Sequence, residues 1–305
     1  SARPVQSSPS LASGKSCTLD SHHHLRREGT PMDISKAREL DQLGREIDVL
    51  VVVKTAPIPS EKYKETVCVA GVALDPLRWV RLYPIAFRYL DGTDRFKKYQ
   101  TIRVSVRAPN GDDREESLRV TDDPQPQDEP ITGWDKRAIY LDPLPAKSLC
   151  ELRTEAKRNP AAQSLALITP RATPTIKVSL HPGWNEQQKA ALRKYKDEDI
   201  FGNKGLTLEA PRFIARLEFR CVFPDCPSHS LTITDWEAVA LQRHWPPTVS
   251  IEYAQQEFEK KFIKQRETSG LPLRIIVGNQ AAPHKRHSFL VLGIFGSSRE
   301  ALGLF

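Results

Sequence analysis

The sequence predicts a mixed α+β fold: a largely antiparallel sheet with flanking helices and an irregular, proline-rich middle segment. Three observations carry this reading. Short β-branched runs are joined by tight turns, so hairpins outnumber plausible crossovers. One run alternates apolar and polar residues with a period of two. Helical patterns that open on capping residues lie before and after these runs.

In chain order, Asp33 can cap a helix to about Glu46, with Ala37, Leu40 and Leu43 on one side. Ile47 to Val53 is a short β-branched run, the signature of a buried strand. Thr66–Leu74 and Arg78–Tyr83 are two further strands, joined by a turn at Asp75-Pro76 into a hairpin. Gln100–Arg107 alternates: Ile102, Val104 and Val106 point one way, Arg103, Ser105 and Arg107 the other. Pro and Asp concentrate from Asp122 to Pro130, a loop signal. Helical patches follow at about 144–158 and 185–197, with an extended piece at Thr175–Leu180. Phe213–Cys221 reads as a strand. Thr234 or Asp235 starts a short helix through His244, and Ser250 caps a longer one with Ile251, Ala254, Phe258 and Phe262 on its apolar face and Gly270 at its end. Leu273–Val277 and Ser288–Phe295 close the chain as strands. The expected organisation is 1–31, a disordered leader or an added non-native segment; 32–120, an N-terminal part with a basic sheet face; 121–210, an irregular connection; and 211–305, a Cys/His-containing part.

The chain has 305 residues, of which 39% are hydrophobic, so it can build a sizeable core. No apolar run approaches the roughly 20 residues that span a bilayer, and no signal peptide is apparent. Five cysteines is an odd number, which argues for a reducing compartment over a disulfide framework; a cytoplasmic location is expected. The net charge of +7 permits nucleic-acid binding without requiring it. Its distribution says more: Arg78, Arg81, Arg88, Arg95, Lys97, Lys98, Arg103 and Arg107 stand against Asp91 and Asp94 alone.

Cys221, Cys226 and His229 form the densest set of metal-ligand types, in a Cys-x4-Cys-x2-His spacing. Pro224 and Pro227 force a turn that can aim all three at one point, and zinc favours thiolate with imidazole. The fourth ligand stays open among Asp235, His244, His181, Cys150 and Cys68. The alternative is two buried cysteines acting as small apolar residues beside a surface histidine. A closed site would be a structural staple; three ligands plus water would be catalytic, with Asp235 and Glu237 as weak candidates for the chemistry. The His-x-Glu and Pro-Cys-x-x-Cys pattern of zinc deaminases is absent, so deamination is discounted.

In Arg78–Arg88, guanidinium and aromatic groups interleave. Arginines can grip phosphates while rings stack on unpaired bases. With Val80 and Leu82 facing the core, Trp79 and Arg81 would stand exposed together. The nucleic-acid-contacting set on this reading is Trp79, Arg81, Tyr83, Arg88, Lys97, Lys98, Arg103 and Arg107. The competing account is a strand whose rings fill the core while its arginines stay in water. Lys54 and Lys62 flank a Pro-x-Pro loop and are candidate anion-binding residues, against a plain solvated loop. The Asp112–Ser117 run can hold a divalent cation or simply form a polar turn.

Three blocks stand out: Lys54-Thr55 with Pro59-Ser60, Lys62-Tyr63, Glu65-Thr66, Cys68 and Ala70-Gly71; Trp79 to Pro84 with Phe87-Arg88; and Phe219, Cys221, Cys226 and His229 with Asp235-Trp236-Glu237. This combination resembles a family of uncharacterised prokaryotic proteins sharing the blocks over most of residues 47–295. The resemblance implies one architecture for all three blocks and supplies no activity; the high Arg, Ala and Pro usage is compatible with a bacterial origin. The residues themselves support a nucleic-acid-binding protein, with DNA or RNA as partner and a structural zinc site. The alternative is a metal-dependent hydrolase or nuclease acting on nucleic acid or nucleotides.

Overall fold

The computed structural model describes residues 32–60, 64–87, 90, 94–198, 208–267 and 273–296. It has the mixed α+β architecture expected, with sheets that are mostly antiparallel. Helix α1 (Ile34–Leu43) is capped by Asp33, whose carboxylate accepts from the Ser35 and Lys36 amides. Leu43 is 83% exposed, so the apolar side extrapolated from Ala37 does not hold. Asp41 takes the inward position instead and pairs with Arg45 and Arg78.

The first sheet holds β1 (Arg45–Lys54), β2 (Ile58–Ser60), β3 (Lys64–Leu74), β4 (Leu77–Ile85), β5 (Thr101–Arg107), β6 (Ser117–Val120) and β7 (Gln125–Pro126). Five of these close on themselves: β1 pairs with β3, β3 with β4, β4 with β6, β6 with β5, and β5 back to β1. All pairings are antiparallel except β4 with β6. A five-stranded barrel of this order is an OB-type barrel, whose ligand face uses its second and third strands and the loops joining first to second and fourth to fifth. Here those are β3, β4, the segment leading from β1 to β3, and the segment from β5 to β6. At Gly71 the strands approach so closely that a Cβ would lie 2.5 Å from the Leu50 carbonyl oxygen, so only glycine fits between β3 and β1.

Val49, Val51, Val69, Val80, Leu82, Ile102 and Val104 fill the barrel. The outward residues Leu50, Val52, Ala70, Val72 and Trp79 are buried as well, under a second layer. That layer is helix α2 (Trp134–Leu141) and a three-stranded sheet of β8 (Leu165–Ile168), β12 (Arg274–Asn279) and β13 (Phe289–Phe295). Burial on both faces explains why Val49–Val53 is apolar throughout. It also overturns the exposure expected of Trp79 and Arg81, which are 4% and 3% exposed.

A third sheet, β9 (Thr175–Leu180), β10 (Phe213–Phe219) and β11 (His229–Thr232), packs with α3 (Leu149–Arg158), α5 (Trp236–Gln242) and α6 (Ile251–Glu259) around a separate core. Asp235 caps α5 and Ser250 caps α6. A π turn at Lys260–Lys264 carries α6 onward; the expected terminator Gly270 lies outside the described residues. The 121–210 stretch holds β7, α2, α3, β8, β9 and α4 (Glu186–Glu198) between proline-containing loops. Strands of two to four residues are too short to show a periodicity, so β7, β8 and β11 are not apparent in the sequence.

Candidate nucleic-acid interface and metal centre

Strand β10 leads into a turn that returns as β11, with Phe219 opposite His229. Cys221 follows β10, Cys226 closes a turn onto the Phe223 carbonyl, and His229 opens β11. Ser228 adopts a positive φ of 92°, and Arg171 holds the Phe223 and Pro224 carbonyls. The fourth donor comes from afar: Cys150, in the first turn of α3, where Ser148 and Glu151 form a capping box. All four ligand atoms lie within 4.8 Å of one another. His229 Nε2 is 3.2 Å from Cys226 Sγ, 3.4 Å from Cys221 Sγ and 3.5 Å from Cys150 Sγ; the Cys150 and Cys221 sulfurs are 3.6 Å apart. A tetrahedral ion with metal–sulfur bonds of about 2.3 Å and metal–nitrogen bonds of about 2.0–2.1 Å places its ligands about 3.5–3.8 Å apart.

Electrostatics favour the imidazole as a donor and keep Cys150 a thiol until a cation displaces its proton. Burial, and then the Arg153 charge, push His229 down to about 4, so its ring is neutral and can offer a lone pair. Burial and the neighbouring Cys221 push the Cys150 thiol up to about 12. Three sulfurs and a nitrogen lone pair converge on one buried point with no protein cation among them, a donor set suited to a soft or borderline metal ion. His229 Nδ1 is buried without a partner among the described residues.

The second feature is a cleft of about 1400 Å³. On the barrel side it is lined by Thr55–Ile58, Cys68 on β3, Arg81 and Tyr83 on β4, and Pro109 to Arg119 around β6. These are the strands and loops that form the ligand face of an OB-type barrel. From the C-terminal half the lining adds Trp184, Arg212, Trp236, Arg243 and Trp245, of which Trp236 packs against the barrel core, edge-on to Phe87. Arg243 lies 5.8 Å from the Trp236 ring centroid.

The structure divides the predicted contact residues. Arg81 and Tyr83 line the cleft, Tyr83 with 40% exposure. Trp79 does not; it packs in the core between barrel and second layer. Lys98 is not a free surface cation: its Nζ lies 2.8 Å from Asp235 and 2.9 Å from Glu237. Arg103 makes a two-pronged pair with Asp48, while Lys97 and Arg107 are exposed and away from the cleft. Lys54 is half-buried, donates to the Phe96 carbonyl and sits 3.9 Å above the Phe87 ring; burial and then Lys98 push it down to about 8. Arg88 and Lys62 lie outside the described residues.

Asp235 is fully buried, caps the Glu237 amide and pairs with Lys98; Glu237 also meets Arg266 and Lys261. Asp112 is gripped by Arg114 and held down to about 2, the arginine outweighing the opposing effect of burial. Glu116 accepts from the Ser164 and Leu165 amides and the Ser164 hydroxyl. The sequence reading did not single out Trp236 and Arg243 as binding residues. The signal was their seven-residue spacing, which puts both on one side of a helix.

Comparison with protein families gives two matches. One profile, described as Domain of unknown function (DUF8758), covers residues 45–143, the whole barrel and α2. The other, described as Domain of unknown function (DUF8757), covers residues 145–305, more than half of the chain. The chain belongs to the DUF8757 family. The DUF8757 portion holds all four metal-type donors, and the cleft takes its walls from both portions. No curated protein matches this DUF8757 member. Among solved structures, a replication protein A heterotrimer bound to ssDNA is similar at 12% identity and a TM-score of 0.27. That match covers 86% of the DUF8757 member and 51% of the solved chain, so the member spans about half its counterpart's length. Among the described residues, no helix is long and apolar enough to cross a membrane.

Proposed function

We propose that the chain binds single-stranded nucleic acid in the cleft and carries a structural zinc ion on Cys150, Cys221, Cys226 and His229. The observation that carries the first part is the position of the cleft: it takes in Cys68, Arg81 and Tyr83 at one end of the β3–β4 face of an OB-type barrel, beyond the part covered by the second layer, together with both flanking loops. Its lining supplies what an unpaired strand needs. Arg95, Arg119, Arg212 and Arg243 offer positive charge for phosphates, and Tyr83, Phe87, Trp184 and Trp236 offer ring faces for bases. A duplex hides those bases in its stack.

The second part rests on the donor set. Thiolate with imidazole at tetrahedral spacing is the zinc pattern, and four protein donors leave no coordination position for a reacting water. Zinc would act here as a cross-link between α3 and the β10–β11 turn. The hydrolase alternative draws no support from this closed set, nor from Asp235 and Glu237, which are tied into ion pairs.

Fluorescence anisotropy with labelled single-stranded and duplex oligonucleotides, run across a salt series, tests the binding. Single strands should bind tighter than duplex, and log K should fall linearly with log salt at about 0.7 per phosphate neutralised. Tyr83→Ala or Trp236→Ala should each weaken binding by about 1–3 kcal/mol. Equal affinity for duplex, or affinity indifferent to salt, overturns the proposal.

A further inference from the structure

Arg81 lies at the cleft floor with 3% of its surface exposed. Its Nη1 donates to Cys68 Sγ at 3.5 Å, and its Nη2 donates to the Ser164 carbonyl and hydroxyl oxygens at 3.3 Å. These contacts are long, and Nε has no partner among the described residues. Arg78, Arg103, Arg114 and Arg266 each meet a carboxylate directly. Arg81 meets none among the described residues. The carboxylate of nearby Glu116 is occupied by Ser164 and Leu165 and, among the described residues, is linked to the Arg81 guanidinium through the Ser164 hydroxyl. A buried cation without a direct counter-ion is unfavourable.

The fold nonetheless makes room for this guanidinium. A Cβ at Gly278 would lie 3.1 Å from Arg81 Nη2 and 2.6 Å from Leu292 Cδ1, so glycine there leaves the space that Arg81 occupies. Along the parallel β4–β6 pair, Arg81 is opposite Ser117 and Tyr83 is opposite Arg119. Arg119 also lines the cleft. A sunken cation, a second cation two residues along the neighbouring strand and an exposed ring thus share one wall.

We propose that this wall receives a terminal phosphate: the cleft takes the phosphorylated end of an unpaired strand, with Arg81 and Arg119 on the phosphate and Tyr83 against the adjoining base. This rests on the nucleic-acid reading of the cleft. An internal phosphodiester carries a nucleoside on each side and a single negative charge. A terminal phosphomonoester carries one nucleoside, so it reaches deeper, and it gains a second charge with a pKa of about 6.

The test compares oligo-dT of one length bearing a 5′-phosphate, a 3′-phosphate or hydroxyls at both ends, by anisotropy at fixed salt. One phosphorylated form should bind roughly tenfold tighter than the hydroxyl form, the scale of a charge-assisted hydrogen bond. That advantage should shrink as pH falls through about 6, where the second charge is lost. Arg81→Lys, with folding checked by circular dichroism, should reduce affinity for the phosphorylated oligomer by a larger factor than affinity for the hydroxyl oligomer, so that the advantage shrinks. Should that variant fail to fold, the wild-type comparison and its pH dependence still decide. Equal binding of all three oligomers overturns the end-phosphate site and leaves the nucleic-acid reading standing. Binding of none removes both.

Discussion

Asp41 sits where α1 meets the barrel, and its carboxylate accepts from Arg45 at 2.9 Å and also from Arg78. Arg78 is buried, so removing its partner leaves an uncompensated charge out of water. Asp41→Ala should therefore cost about 3–5 kcal/mol, read as a shift in the urea midpoint at unchanged slope. A loss below about 1 kcal/mol would show that water replaces the carboxylate without penalty. At this scale the sequence was partly legible. Cys221, Cys226 and His229 converge because two prolines and a short spacing enforce a turn, and such local constraints are visible in order of residues alone. Trp79 and Arg81 were misplaced because alternation along β4 distinguishes two faces but not whether the second face meets water.

Among the elements, α3 shows how a distant segment completes a local motif. Cys150 stands 71 positions from Cys221, so no spacing rule links them. The sequence offered it only as one of several possible fourth ligands. Its Ser148–Glu151 capping box fixes the helix start and so the direction of the Cys150 side chain. Cys150→Ala and Cys226→Ala should each abolish stoichiometric metal in the purified protein, measured by mass spectrometry of the digested sample. Both should lower Tm, and chelator should do so in the wild type, since metal binding to such sites contributes roughly 10–16 kcal/mol in small zinc peptides. A wild-type protein that is metal-free after expression with added zinc, and equally stable in chelator, would refute the centre.

At the scale of the whole molecule, the barrel and the C-terminal half are joined by charge as well as by apolar packing. Lys98 precedes β5; Asp235 and Glu237 open α5; Arg266 follows α6. Burial works against the Glu237 carboxylate, but Lys98 and Arg266 outweigh it and hold its pKa down to about 2 against an ordinary 4.5. A depressed acid stabilises the fold fully above its unfolded pKa. That stability is lost as pH falls from about 4.5 toward 2, with Asp112 adding to the loss over a similar window. Melting temperature followed over this range should fall less steeply in Glu237→Gln, which should also be the less stable protein at neutral pH. Parallel curves would mean that Glu237 does not link the halves. The barrel itself could not be read from the sequence. Its closure depends on β5 returning to β1 and on a three-residue parallel contact between β4 and β6, long-range pairings that leave no local periodicity.

Ring closure has a bearing on colloidal behaviour. A barrel strand whose lateral amides and carbonyls are taken on both sides offers little for a foreign chain to extend, so this half should resist strand-by-strand association. In the third sheet, β9 pairs only with β10 among the described residues, and its remaining side is a potential template for fibril growth. Lys177 projects from that border strand, largely solvated and paired with Glu218, a charged edge residue of the kind that hinders crowded copies from zipping together.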